Sequence, residues 1–221
     1  MTYATAADYS WTHSPSSPFG HARGAGYSLV LVRGIGPEEV LRRAGAEPEG
    51  VRTGFDALVE EHVGLLDEYD GWPECTLAGA VAVPGEGGEW TLVLELGGDA
   101  LGMSPRFMEA VSSGTRAVSH TGNSGKPIHL FHWYEDGALR TGFEYPAHCD
   151  GDTPDALNAL ITVVGLVPAD DEAPGADRTA AFFALAEHLT GVRVTEELLA
   201  GAAYRTGLIP EEAYDEAGPG L

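Results

Sequence analysis

The chain has 221 residues, of which 43% are hydrophobic and 21% charged, enough apolar surface for one packed core and too much for wholesale disorder. Twelve basic residues against thirty-four acidic ones give a formal charge of −22, a field that repels phosphate backbones and anionic lipid heads, so generic nucleic-acid and membrane binding are disfavoured. The first twenty residues carry neither a basic segment nor an apolar one of leader type, and no later window reaches eighteen consecutive apolar residues, which predicts a cytoplasmic protein. Cys75 and Cys149 are too few for a disulfide framework and are expected as reduced thiols.

Residues 1–24, rich in Ser, Pro, Gly and Ala without a period, read as a flexible N-terminal arm. Residues 25–208 are expected to form one α+β domain, and residues 209–221 a frayed acidic tail. Tyr27 to Val32 has the β-branched, apolar character of a strand. Pro37 with Glu38 and Glu39 then opens a short helix to about residue 44, the proline suiting its first turn and the acids its dipole. Thr53 to Asp56 matches a capping box. Phe55, Leu58, Val59, His62, Val63 and Leu66 follow at the spacing of one apolar helical face.

From residue 77 to 145 the period falls to two, in runs 77–83, 89–96, 115–121, 128–134 and 139–145 separated by glycine-rich or Asp-Gly turns. This predicts an antiparallel β-meander flanked by helices. Ser104-Pro105 starts a short crossing helix between its second and third strands. Helices return at Thr153-Pro154, to about Gly165, then at Asp177 after an acidic loop over 168–176, and again at Thr195; Thr190-Gly191 stops the second. Net charge along this map is +1 over 1–37, −7 over 38–70, −5 over 71–99, zero over 100–149 and −11 over 150–221.

Familiar nucleotide motifs fail on inspection. Gly34-x-Gly36 has Glu39 where a dinucleotide loop needs its third glycine, and Pro37 removes an amide that would face pyrophosphate. Gly125-Lys126 is followed by Pro127 where a P-loop needs Ser or Thr.

One constellation emerges from strand register. A two-residue turn at Asp136-Gly137 places Trp133 opposite Arg140, Phe131 opposite Gly142 and His129 opposite Glu144. A symmetric 122–127 loop would set His120 against His129, Val118 against Phe131 and Arg116 against Trp133. One sheet face then carries Arg116, Phe131, Trp133 and Arg140, an aromatic and arginine cluster typical of binding anchors. The same face brings His120, His129 and Glu144 together as a candidate metal or acid–base site. His132 points away from it.

Several stretches carry a resemblance: Gly26 to Leu29 through Arg33-Gly34 with Pro37 to Leu41; Trp90 to Glu95; Ser112-Ser113-Gly114-Thr115; Asp136-Gly137 with Phe143-Glu144; and Ala184 to Glu187 followed by Leu189 to Val192. In these the chain resembles an actinobacterial family recorded as a domain of unknown function, over residues 25–208. The resemblance implies a single α+β unit and carries over no catalytic or ligand residue.

The leading expectation is a non-enzymatic binding protein that needs no cofactor and whose acidic helical segments meet a basic protein partner, as an immunity or accessory factor does. The alternatives are a small metal-assisted enzyme built on His120, His129 and Glu144, and a site for an anionic aromatic ligand between Trp133 and Arg116 or Arg140.

Overall fold

Tyr27–Arg33 forms β1, a strand whose first six residues are buried on both faces, and it lies in the middle of the sheet rather than at an edge. The computed structural model describes residues 3–14, 17, 19–71, 73–98, 100–126, 128–167 and 177–213. The expected acidic loop over 168–176 and residues 214–221 of the expected tail lie outside them, whereas residues 209–213 of that tail are not frayed but close a strand and form a 3-10 turn.

Ahead of β1 come a 3-10 helix, Ala6–His13, and α1, Phe19–Ala25. After it follow α2, Pro37–Arg43; β2, Glu47–Thr53; α3, Phe55–Glu68; β3, Cys75–Gly85; and β4, Gly88–Leu96. A 3-10 turn at Leu101–Met103 leads into α4, Pro105–Ser112. The chain then forms β5, Arg116–Asn123; β6, Ile128–Glu135; β7, Ala138–Phe143; α5, Asn158–Val163; α6, Arg178–Thr190; α7, Glu196–Gly201; and β8, Ala203–Pro210. A last 3-10 turn covers Glu211–Ala213.

All eight strands join one antiparallel sheet in the order β2-β8-β3-β4-β1-β5-β6-β7. The chain is a single α+β domain, as its alternation of strand runs and capped helices predicts. The meander differs in one respect. The hairpin β3–β4 and the meander β5–β6–β7 are separated by β1, which pairs with β4 on one side and β5 on the other. β1 is apolar at every second position on both faces, the pattern of a strand that needs cover from both sides. The strands β2 and β8 extend the sheet beyond β3. β2 escapes a period-two reading because it is an exposed edge containing Pro48 and a bulge.

Helices cover both faces. On one, α1, α3, α5, α6 and α7 pack on Leu29, Leu31, Leu92, Leu94, Val118 and Phe131. On the other, α2, α4 and the Leu101 turn cover Val30, Val32, Val93, Ala117 and Tyr134. α3 approaches β3 so closely that a Cβ at Gly79 would lie 2.9 Å from a Leu58 methyl.

The N-terminal segment is no loose arm. Tyr9 and Phe19 are buried; Tyr9 stacks on Phe183 at 5.4 Å, and Phe19 meets Phe183 at 5.2 Å and Tyr27 at 4.8 Å. The reason lies in α6, which buries ten of its thirteen residues because the sheet covers one side of it and the N-terminal segment the other. Asp177 caps α6 by accepting from the Ala180 amide at 2.9 Å, and Gly191, at φ 65°, closes it in the left-handed conformation. Thr195 caps α7 through the Leu198 amide. At α3, however, Thr53 ends β2 and Gly54 takes the N-cap position, so the capping box does not form.

Candidate functional site

The two registers that gathered the predicted site residues both shift. Between β6 and β7 the turn end pairs as expected, Tyr134 with Leu139 and Glu135 with Ala138, but a bulge then inserts Arg140 and displaces every later pair by one. Trp133 faces Thr141 and Phe131 faces Phe143. Glu144 lies beyond the strand end, so it does not pair with His129. Between β5 and β6 the pairing is offset by two from the symmetric loop: His120 faces Phe131, Val118 faces Trp133 and Arg116 faces Glu135. An even offset preserves the faces but separates His120 from His129 by two residues along the strand, since His129 faces Gly122.

The expected metal site is therefore not assembled. His120 is fully buried, its Nδ1 sharing a 3.2 Å hydrogen bond with the Tyr27 hydroxyl and its ring lying 4.6 Å from that of Phe183. Burial drives its pKa down to about 3, so it is a neutral core histidine. His129 also has its pKa lowered, by burial and then by the Arg178 charge. Among the described residues no group of three or more His, Cys, Asp or Glu side chains could hold a metal ion.

The aromatic face is likewise a packing face. Phe131 is fully buried and stacks with Phe143 at 5.6 Å, so it cannot anchor a partner. Trp133 is half-buried against the core, with the Arg116 guanidinium 5.6 Å from its ring centroid. Arg140, carried on the bulge, stands 3.9 Å from Asp152. The sequence reading erred because α6 and the N-terminal segment close over this face. Neither is visible in the period of the strands.

Two open features lie at opposite ends of the sheet. At one end, the start of β2, the start of β3, the end of α3 and the end of β8 converge. They bring Glu47, Glu49, Glu68 and Glu74 around the half-buried Cys75, with exposed Glu211 and Glu212 following β8. Burial first, and then those four carboxylates, push the Cys75 thiol above its usual pKa. β2 is the outer strand here, and six of its seven residues are exposed. Val51, Val63 and Tyr69 add exposed apolar surface on β2 and α3. Sequence reasoning found the acidity of residues 38–99 but missed this corner, because β2 and β8 went unrecognised.

The far edge is treated differently. Residues 150–153 lie along β7, with reciprocal hydrogen bonds between Gly142 and Asp150 and further amide bonds from Asp152 and Thr153 to the Leu139 and Arg140 carbonyls. That edge is occupied by the chain itself. Among the described residues β2 has strand neighbours on one side alone.

At the other end, the end of β1, the start of β5 and the β6–β7 turn surround a cleft of about 620 Å³ lined by Arg33, Arg43, Ser113, Arg116, Glu135 and Asp136, among others. Three of the stretches that carry the resemblance meet here: Arg33-Gly34, Ser113-Gly114-Thr115 and the Asp136 turn. The Thr115 hydroxyl donates to the Arg33 carbonyl at 2.9 Å, and the Asp136 amide to the Thr115 carbonyl at 2.9 Å, tying the three segments together.

A single α+β unit built on one eight-stranded antiparallel sheet is the class that the fold defines. A family model described as a family of unknown function (DUF6461) matches residues 2–214, and the chain belongs to that family. The match begins well before residue 25, in agreement with the structural part played by the N-terminal segment. No curated protein and no solved structure matches the chain.

Proposed function

We propose that the protein is a non-enzymatic binding protein of the cytoplasm whose acidic corner, built from the β2 edge, the end of α3 and the starts of β3 and the last 3-10 turn, docks a basic protein partner. The observation that carries this is the convergence of Glu47, Glu49, Glu68 and Glu74 around Cys75 at the end of the sheet that includes the β2 edge, with Val51, Val63 and Tyr69 exposed on β2 and α3. Charge supplies encounter rate and orientation, while the apolar side chains supply surface that gains from burial. The edge is also guarded against copies of itself: Glu47, Pro48 and the bulge at Glu49 discourage strand pairing between two like-charged chains. A cationic partner meets no such repulsion. In this reading the protein acts as an accessory or immunity-type factor that occupies a basic surface, in an actinobacterial setting.

The test is affinity capture from host lysate at low and high salt, with the paired variant Glu47→Lys, Glu49→Lys as control. A stoichiometric basic protein is expected, lost in high salt and lost with the charge reversal. Capture that is indifferent to both, or a partner of acidic character, contradicts the proposal.

A further inference from the structure

The arginine-lined cleft at the opposite end of the sheet is electrostatically out of keeping with the rest of the chain. In a molecule of formal charge −22, three of its twelve basic residues line one cavity of about 620 Å³, a volume within the range of small-ligand sites. Arg43 is held by Glu39 at 2.8 Å and by the Ala110 carbonyl at 2.7 Å; Arg116 is held by Glu135 at 2.9 Å and by the Leu189 carbonyl at 3.0 Å. Both guanidinium groups are thereby fixed before any ligand arrives, which removes much of the ordering cost of binding. Arg33 differs. Among the described residues its side chain bonds the Gly87 carbonyl at 3.2 Å and forms no ion pair. Ser113 is exposed on the cleft, and among the described residues its hydroxyl has no hydrogen-bond partner.

Planar guanidinium groups match phosphate and carboxylate oxygens, and a dianionic head gains most from several of them. The same lining carries Glu135, already paired with Arg116, and Asp136; their carboxylates would repel a bare polyanion but accept hydrogen bonds from hydroxyl groups. We infer that this cleft binds a small phosphate monoester with a hydroxyl-rich body, its phosphate toward Arg33, Arg43 and Arg116 and its hydroxyls toward Glu135, Asp136 and Ser113. The site stands apart from the acidic corner and does not depend on the partner proposed there.

The experiment is calorimetric titration of the full chain with ribose 5-phosphate, with ribose and inorganic phosphate as comparisons. Saturable binding of ribose 5-phosphate is expected, weaker for inorganic phosphate and lost for ribose. Arg33→Ala, an exposed substitution that breaks no ion pair among the described residues, is expected to weaken binding at least tenfold while melting at the wild-type temperature. Ser113→Ala, equally exposed, is expected to weaken it about threefold, the loss of one hydrogen bond. Absence of saturable binding, equal binding of inorganic phosphate and ribose 5-phosphate, or unchanged affinity in Arg33→Ala each overturns the inference.

Discussion

His120 shows how a residue of catalytic type becomes a packing residue. Its folded pKa of about 3 lies below the ordinary value of 6.5, so between those limits the unfolded chain takes up a proton that the folded chain refuses. Stability is therefore full above pH 6.5 and declines as pH falls toward 3, with a slope approaching about 1.4 kcal/mol per pH unit for one such proton. His62, His129 and His132 are shifted in the same direction, chiefly by burial. Urea denaturation between pH 7 and 5, above the carboxylate range, is expected to show this decline, and His120→Gln to flatten it. An unchanged slope in the variant would place the effect elsewhere. Cys75 reports on the acidic corner in the same way: reversing Glu47 and Glu49 to lysine is expected to raise its alkylation rate at neutral pH, read at that residue by mass spectrometry, because its thiolate is then less disfavoured. Arg116 has the neighbour that its place in the sequence predicts. It does lie over Trp133, but it also ties β6 to the end of α6, and Arg116→Ala is expected to lower stability by about 1–2 kcal/mol.

At the level of elements, what was legible in the sequence is what local chemistry specifies. Asp177, Gly191 and Thr195 act as the caps their positions announce, and the Asp136-Gly137 turn forms where the dipeptide places it. What was hidden depends on partners distant in sequence. The Arg140 bulge, the insertion of β1 between β4 and β5, and the pairing of β2 with β8 leave no period in the residues themselves. One signal was available for the N-terminal segment. The run from Ala180 to Ala186 is apolar on every side of its helix, which demands a second covering layer. Phe19→Ala is accordingly expected to cost about 3–5 kcal/mol in chemical denaturation, the loss for a buried aromatic. A segment that merely rested on the surface would lose less than about 0.5 kcal/mol.

For the molecule as a whole, the antiparallel sheet separates its two open features by direction as well as by position. The starts of β2 and β3 and the end of β8 lie at the acidic end, and the end of β1 and the start of β5 lie at the arginine end. Segment charge foreshadowed this division, since residues 38–99 are strongly acidic and residues 100–149 neutral. Topology then concentrates the first at one corner. It also explains why the predicted aromatic surface gave way: a face that looks mixed along one hairpin is continuous core once α6 and the N-terminal segment close over it. Hydrogen exchange, measured on the chain alone and with its captured partner, is the most direct test of the docking proposal. Slowed exchange is predicted at Glu47–Thr53 and around the end of α3 and the start of β3. Protection confined to α6 and the Trp133 strand, or none at the β2 edge, would contradict it.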